Sequence, residues 1–284
     1  NLGVMAQEKR EFEEAKAYYL KALKIYEDAG DFYRAAYEYH QLGIVAQEKR
    51  EFEEAKAYYL KAMKIYEDAG DFYQAAREYH NLGMMAEEKR EFEEAKAYYF
   101  KALKIYEDAG NFYGAAGEYH QLGRVAEEKA EFEEAKAFYL KALKIYEDAG
   151  NFYQAAYGYH QLGMVAQRKG EFEEAKAYYL KALKIKEDAG DFYQAAYGYH
   201  QLGMVAEEKR EFEEAISYFV KALMIFVDKK DSYKAGYPIR GLGRILKQIG
   251  ESQFDTVWRE VTGFDCTGDL REAIWAARDK LDSE

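Results

Sequence analysis

A block of 40 residues recurs in this chain almost letter for letter, and that register limits the possible folds more than any other property. Tyr39, His40, Leu42 and Gly43 return as Tyr79, His80, Leu82 and Gly83, and the series continues through Tyr199, His200, Leu202 and Gly203. A chain copied in this way buries its apolar residues copy against copy, giving one long continuous core rather than a deep globular one. Composition decides between a propeller and a helical array. Each copy is dominated by Ala, Glu, Lys, Leu and Tyr, and the 284 residues hold a single Pro. A four-stranded blade would require many turns and β-branched runs, so the array is read as helical.

Within residues 31 to 70, Asp31 is placed to N-cap a first helix that runs through about Lys49. A short Arg50-Glu51 link leads into a second helix ending near Asp68, and Gly70 supplies its C-terminal stop. Ala35, Tyr39, Leu42 and Ala46 recur at spacings of four, three and four, forming one apolar stripe; Phe52, Ala55, Tyr59, Ala62 and Ile65 form another on the second helix. Neither helix can bury its stripe alone. Gly43 and Ala62 are small where two backbones must approach. The 29 Tyr residues are read first as packing groups, with hydroxyls reaching solvent or neighbouring carbonyls.

The pattern Tyr39-x2-Leu42-Gly43-x2-Ala46, followed by Ala55-x3-Tyr59-x2-Ala62, resembles the tetratricopeptide repeat, and five complete blocks carry it. Two departures stand out. The second helix lacks the family's terminal Pro, with Glu67 near that place, and the period exceeds the usual length of about 34. The chain therefore looks like the elongated variety of about 40 to 42 residues. The resemblance implies an all-α fold: tandem helix-turn-helix repeats forming a right-handed α-solenoid superhelix with a C-terminal capping helix.

The expected organisation is an array over residues 1–250 and a divergent cap over 251–284. The array comprises a partial repeat at 1–30, full repeats at 31–70, 71–110, 111–150, 151–190 and 191–230, and a divergent repeat from 231. Asn1-Leu2-Gly3 aligns with Gln41-Leu42-Gly43, so the sequence reads as a fragment that starts inside a first helix. Near the other end Lys229-Lys230 replaces Ala-Gly, and Pro238 enters a helix. The last second helix becomes Phe254-Asp255-Thr256-Val257-Trp258. A final amphipathic helix is expected over 269–282, with Leu270, Ile274, Trp275 and Leu281 inside and Arg271, Glu272, Arg278 and Asp279 outside. No run approaches the roughly 18 apolar residues of a membrane helix, and one cysteine, Cys266, suits a cytoplasmic setting.

Copies within one chain can be compared with each other. The second helix hardly changes until residue 216, whereas the first varies at selected places. One position reads Tyr37, Arg77, Gly117, Tyr157, Tyr197 and Tyr237; another reads Ile44, Met84, Arg124, Met164, Met204 and Arg244. With the histidines they share one helix face, distinct from the packing stripe. In tetratricopeptide repeats the corresponding face lines a concave groove, so the resemblance implies a partner-binding groove. Its candidate lining is completed by His40, His80, His120, His160, His200 and Arg168. Drift at exposed positions after duplication is the alternative. The five histidines stand one per repeat, too far apart to ligate one metal together. One His per helix reads as a polar groove-lining or interhelical hydrogen-bonding residue, and five imidazoles near one another would gain charge as pH falls through about 6.5, making binding pH-sensitive. In the last block Lys234, Tyr237, Arg240, Arg244 and Lys247 make one face basic, which suits an acidic segment or a terminal carboxylate.

No phosphate-binding loop, His-Glu-x2-His motif or Gly-x-Ser-x-Gly elbow is present, so no enzymatic activity and no cofactor are expected. Glu53-Glu54 beside Lys56 read as solvated charge with weak pairing along the helix. A net charge of -12 disfavours nucleic acid. The reading is a protein-interaction scaffold that binds a peptide or protein segment. Two alternatives remain: head-to-tail self-association through an unpaired helix face at residues 1–30, or a ligand-sensing fragment of a larger protein. The near-identical long repeats and Trp258-x3-Thr262-Gly263 are similar to the arrays that end bacterial signal-transduction ATPases.

Overall fold

The short links between helices set the architecture. At each first helix an Asp or Asn accepts from a backbone amide three residues on: Asp31 from Arg34 at 3.2 Å, Asp71 from Gln74 at 3.1 Å, Asn111 from Gly114 at 2.9 Å. The helices of the regular repeats close by the same paired backbone bonds. Glu51 N donates to Ala46 O at 2.8 Å and Arg50 N to Gln47 O at 2.8 Å, while Asp71 N and Gly70 N repeat this on Tyr66 O and Glu67 O. The motif puts its turning residue in the left-handed region. Gly70 is there at φ 74°, and so is Arg50, a side-chain-bearing residue, at φ 62°.

The computed structural model describes residues 2–281, and among them every regular element is a helix. In chain order these are α1 (Leu2–Glu8), α2 (Phe12–Asp28), α3 (Phe32–Glu48), α4 (Phe52–Asp68), α5 (Phe72–Glu88), α6 (Phe92–Asp108), α7 (Phe112–Glu128) and α8 (Phe132–Asp148). They are followed by α9 (Phe152–Arg168), α10 (Phe172–Asp188), α11 (Phe192–Glu208), α12 (Phe212–Asp228), α13 (Ser232–Ile249), α14 (Glu251–Thr262) and α15 (Gly268–Lys280). The expected limits near Lys49 and Asp68 hold to within a residue. Two compact units result, Asn1–Ile145 and Tyr146–Glu284, each a stack of helical hairpins in which consecutive helices pack.

Inside each unit most of each stripe is buried, while Tyr39, Phe52 and Ile65 are half-buried at its margin. Ala35, Leu42, Ala46, Ala55, Tyr59 and Ala62 are each at most 1% exposed. Gly43 is small for a specific reason: a Cβ there would stand 2.5 Å from the Tyr59 ring, and the same arrangement joins Gly83 to Tyr99. Many tyrosine hydroxyls reach side chains twelve residues back, and others a Glu four residues back or an Asp of the next repeat, rather than backbone carbonyls. Tyr59 donates to Gln47 Oε1 at 3.0 Å, Tyr99 to Glu87 Oε2 at 3.0 Å and Tyr79 to Glu67 Oε1 at 2.8 Å. Buried phenols keep a partner in this way.

The exposed charges also differ from their expected arrangement. Lys56 does not pair along its own helix; its Nζ lies 2.6 Å from Glu94 of the next repeat, and Lys96 lies 2.8 Å from Glu134. In the opposite direction Lys89 reaches Glu53 at 2.9 Å. These pairs tie neighbouring hairpins together, each contributing at most about 1 kcal/mol at such exposure.

In the second unit, α13 runs through Pro238, and α14 and α15 pack on α12 and α13. Phe254, Val257, Trp258 and Ile274 are buried. Arg271 and Arg278, expected outside, are instead held. Arg271 grips Asp255 at 2.6 and 3.2 Å and lies 3.8 Å over the Trp275 ring, and Arg278 pairs with Glu251 at 2.7 Å. Asp282, the last residue of the expected helix, lies outside the described residues. No described helix is long and apolar enough to cross a membrane.

Candidate functional site

The histidine at the middle of each first helix does not face outward. His40 is 8% exposed, and its Nδ1 lies 2.7 Å from Oε1 of Glu78, which is 1% exposed. His80 pairs likewise with Glu118 at 2.8 Å. Each imidazole also packs against the core aromatic of its own repeat: His40 on Tyr59 at 6.2 Å between centroids, His120 on Tyr139 and His160 on Tyr179 at 5.4 Å, His200 on Phe219 at 5.5 Å. The ladder is therefore mostly an interior feature. Burial pushes His120, His160 and His200 down to about 4, helped by Arg124, by Lys186, and by Arg244 and Arg240 respectively. This corrects the expectation that the ladder charges near pH 6.5: these three imidazoles stay neutral through that range because burial disfavours the cation. Burial also raises Glu118 above the usual carboxylate range, against the opposing pull of His80.

The remaining candidates divide by exposure. Tyr37 (49%), Met84 (37%) and Tyr157 (45%) are exposed, as are Arg77, Arg124, Arg168, Arg240 and Lys247. Ile44, Met164, Tyr197, Met204, Lys234, Tyr237 and Arg244 are half-buried. Arg124 reaches back to Glu87 at 2.7 Å, and Arg244 grips Glu207 with two bonds of 2.9 and 2.7 Å. Gln248 adds a third contact to Glu207 at 3.2 Å. Lys247 donates to the Leu281 carbonyl at 3.1 Å. Two of the five members of the basic face are thus already committed to neighbours in this chain.

What the structure does gather is an aromatic and cationic cluster on α11 and α13. Lys234 stands 5.1 Å over Tyr237 and 5.5 Å over Tyr197; Arg240 stands 4.9 Å over the Tyr237 ring, and His200 is 6.0 Å from it. In the first unit Met84, Glu87, Glu88 and Arg124 line a recess of about 290 Å³, and in the second the equivalent Met204, Glu207, Glu208 and Arg244 line one of about 250 Å³. Among the described residues no group of three His, Cys, Asp or Glu could hold a metal ion.

Sequence reasoning missed the acid that meets His40 and His80. The signal was present: Glu38, Glu78 and Glu118 share a position that becomes Gly158, Gly198 and Pro238 in the second unit. Where the acid is lost, His160 Nδ1 and His200 Nδ1 are buried without a hydrogen-bond partner.

Helical hairpins of this kind, stacked with an aromatic inserted against a glycine, define a helical-repeat interaction protein. The chain belongs to the tetratricopeptide repeat family, whose pattern matches residues 1–68, 33–108 and 154–226, with a further match at 119–149. No curated protein matches it. Among solved structures it is similar to a Signal Transduction ATPase with Numerous Domains, bearing a tetratricopeptide repeat sensor, from Pyrococcus horikoshii. That likeness has a TM-score of 0.74 at 20% identity and covers 99% of this chain but 42% of that one. BtubC from P. vanneervenii is similar at TM-score 0.65 and 19% identity, over 77% of this chain and 92% of that one. A Rap protein solved in complex with Competence and Sporulation Factor is similar at TM-score 0.56 and 19% identity, over 87% of this chain and 68% of that one.

Proposed function

We propose that the chain is a non-catalytic interaction module whose exposed first-helix positions bind a protein or peptide segment. One observation carries this reading: the copies keep their interior nearly constant while Tyr37, Arg77, Met84, Arg124 and Tyr157 differ at exposed places on one face. Such a surface can match a partner that does not itself repeat. The likeness to a Rap protein solved in complex with Competence and Sporulation Factor supports a bound partner. In the second unit the proposed contact is Tyr197, Lys234, Tyr237 and Arg240, where an acidic segment would meet two cations and two aromatic faces. Arg244 and Lys247 hold the fold together there instead. A second reading, a ligand-sensing segment of a larger signalling ATPase, is supported by the likeness to the Pyrococcus protein's sensor-bearing chain. The single cysteine of the sequence accords with a cytoplasmic setting for either.

The test is capture from lysate of the source cells, comparing the parent with a Tyr157→Ala, Lys234→Ala, Arg240→Ala variant whose helicity and melting are unchanged. Tyr157 and Arg240 are exposed and Lys234 is half-buried, so none of the three belongs to the buried stripes. A partner retained by the parent and lost by the variant supports the surface. Equal capture by both sinks it.

A further inference from the structure

Along one edge of the first unit every hairpin leaves the same apolar group bare. Directly after the N-capping residue, α3, α5 and α7 each begin with a Phe-Tyr pair, and Phe32, Tyr33, Phe72, Tyr73, Phe112 and Tyr113 are 48 to 67% exposed. Two of the tyrosines are anchored. Tyr33 stands edge-on to Tyr66 at 5.4 Å between centroids and donates to Asp71 Oδ2 at 2.6 Å, and Tyr73 stands edge-on to Tyr106 at 5.9 Å. The three phenylalanines have no ring neighbour among the described residues. Six aromatic side chains, each about half exposed, present roughly 600 Å² of ring surface, the upper end of the roughly 300–600 Å² patches that monomers leave bare. In the second unit the series breaks off, with Ser232 in place of the Phe.

The first rung of this ladder is laid out in full. Phe32 and Tyr33 share a recess of about 620 Å³ with Lys64, Ile65, Asp68 and Ala69 at the end of α4. The bond from Tyr33 to Asp71, the residue before Phe72, joins it to the next rung. Within the recess Lys61 lies 5.0 Å over the Tyr39 ring, and Glu27 accepts from the Tyr39 hydroxyl at 2.5 Å. Lys64 and Asp68 are exposed and pair with nothing among the described residues, and the same holds for Lys104 and Asp108 one repeat on. By contrast Lys49, Lys56, Lys89 and Lys96 are each held by a glutamate.

This charge pattern selects the partner. Each rung offers one cation and one anion, four residues apart, beside a bare ring. A lipid surface or a nucleic acid carries one sign of charge, and Asp68 and Asp108 would repel it as Lys64 and Lys104 drew it in. A surface with both signs at a fixed interval is complementary to itself when a twofold axis sets Lys against Asp. A second copy also has rungs at the same interval.

We propose that the first unit docks side by side on a second copy of this chain through this edge. The exposed Phe rings of the two copies interleave, one entering the recess beside Phe32, and Lys64 and Lys104 of each copy meet Asp68 and Asp108 of the other. A recess of this volume lies within the roughly 300–1,000 Å³ that enclose whole ligands, so it admits a ring. With the flanking charges, the aromatic area approaches the roughly 800 Å² that each partner of a stable complex covers. The edge shares no residue with the proposed partner-binding surface.

The experiment is sedimentation equilibrium of the full chain across a range of concentration. The parent is expected to approach twice the chain mass. A Phe32→Ser, Phe72→Ser, Phe112→Ser variant loses only exposed rings, so its helicity should be unchanged by circular dichroism, and it should dimerise at least about tenfold more weakly. Two charge variants, Lys64→Glu with Lys104→Glu and Asp68→Lys with Asp108→Lys, should each be monomeric because like charges then face each other. An equimolar mixture of the two should dimerise again, since each glutamate then meets a lysine. A parent still monomeric at about 100 μM overturns the proposal, as does an undiminished dimer of the Phe variant or a mixture that stays monomeric. Phosphatidylserine vesicles that bind the parent but not the Phe variant, with no dimer formed, would also overturn it and give the edge to a lipid surface.

Discussion

Gly83 shows how much one atom decides in this fold. A Cβ there would lie 2.5 Å from the ring of Tyr99, itself fully buried and bonded through its hydroxyl to Glu87. The ring cannot retreat without breaking that bond, so Gly83→Ala should cost about 1–3 kcal/mol, read as a lowered midpoint in urea unfolding. An unchanged midpoint would show that the ring is freer than its surroundings suggest. At this scale the sequence spoke plainly about packing and poorly about polar partners. Gly43, Leu42 and Tyr59 announce themselves by spacing, because apolar periodicity follows the helix. The Glu78 that meets His40 lies 38 residues away on another helix, and helical periodicity carries no information about it.

At the scale of the helix, both ends could be read from single residues. Asp31 and Gly70 mark a start and a stop by their own chemistry. The end of each first helix was less legible, since Arg50, Arg90, Ala130 and Arg210 adopt the left-handed conformation without being glycine, whereas Gly170 fills the same place in one repeat. Ala130, at φ 58°, is the simplest case. Ala130→Gly should relieve the strain and stabilise the chain by roughly 0.5–1 kcal/mol, offset in part by the freer unfolded chain. A calorimetric melting temperature that falls would contradict this. Pairing between helices was invisible for a different reason: Lys56 has Glu53 on its own helix at helical spacing, and only the stacking distance selects Glu94.

For the whole molecule, the buried imidazoles set the response to acid. His120, His160 and His200 titrate at about 4 when folded, against about 6.5 when unfolded. The unfolded chain therefore takes up protons first as pH falls, so stability is lost from about pH 6.5 down to about pH 4. Glu118, raised in the folded state, contributes with the opposite sign. The melting temperature should drop across that window, and a His120→Leu, His160→Leu, His200→Leu variant should drop less. Equal slopes for parent and variant would assign the acid sensitivity elsewhere.

Near-identical repeats carry a hazard in folding, because any first helix can settle on the wrong neighbour and still bury its stripe. The pair formed by Arg124 and Glu87 works against that error. Docked one repeat out of place, Arg124 would face Gln47 and lose its counter-charge, and Arg244 set against Gln167 in place of Glu207 would do the same. The few letters that differ between copies thus act as keys of order, telling each hairpin which of its look-alikes comes before it.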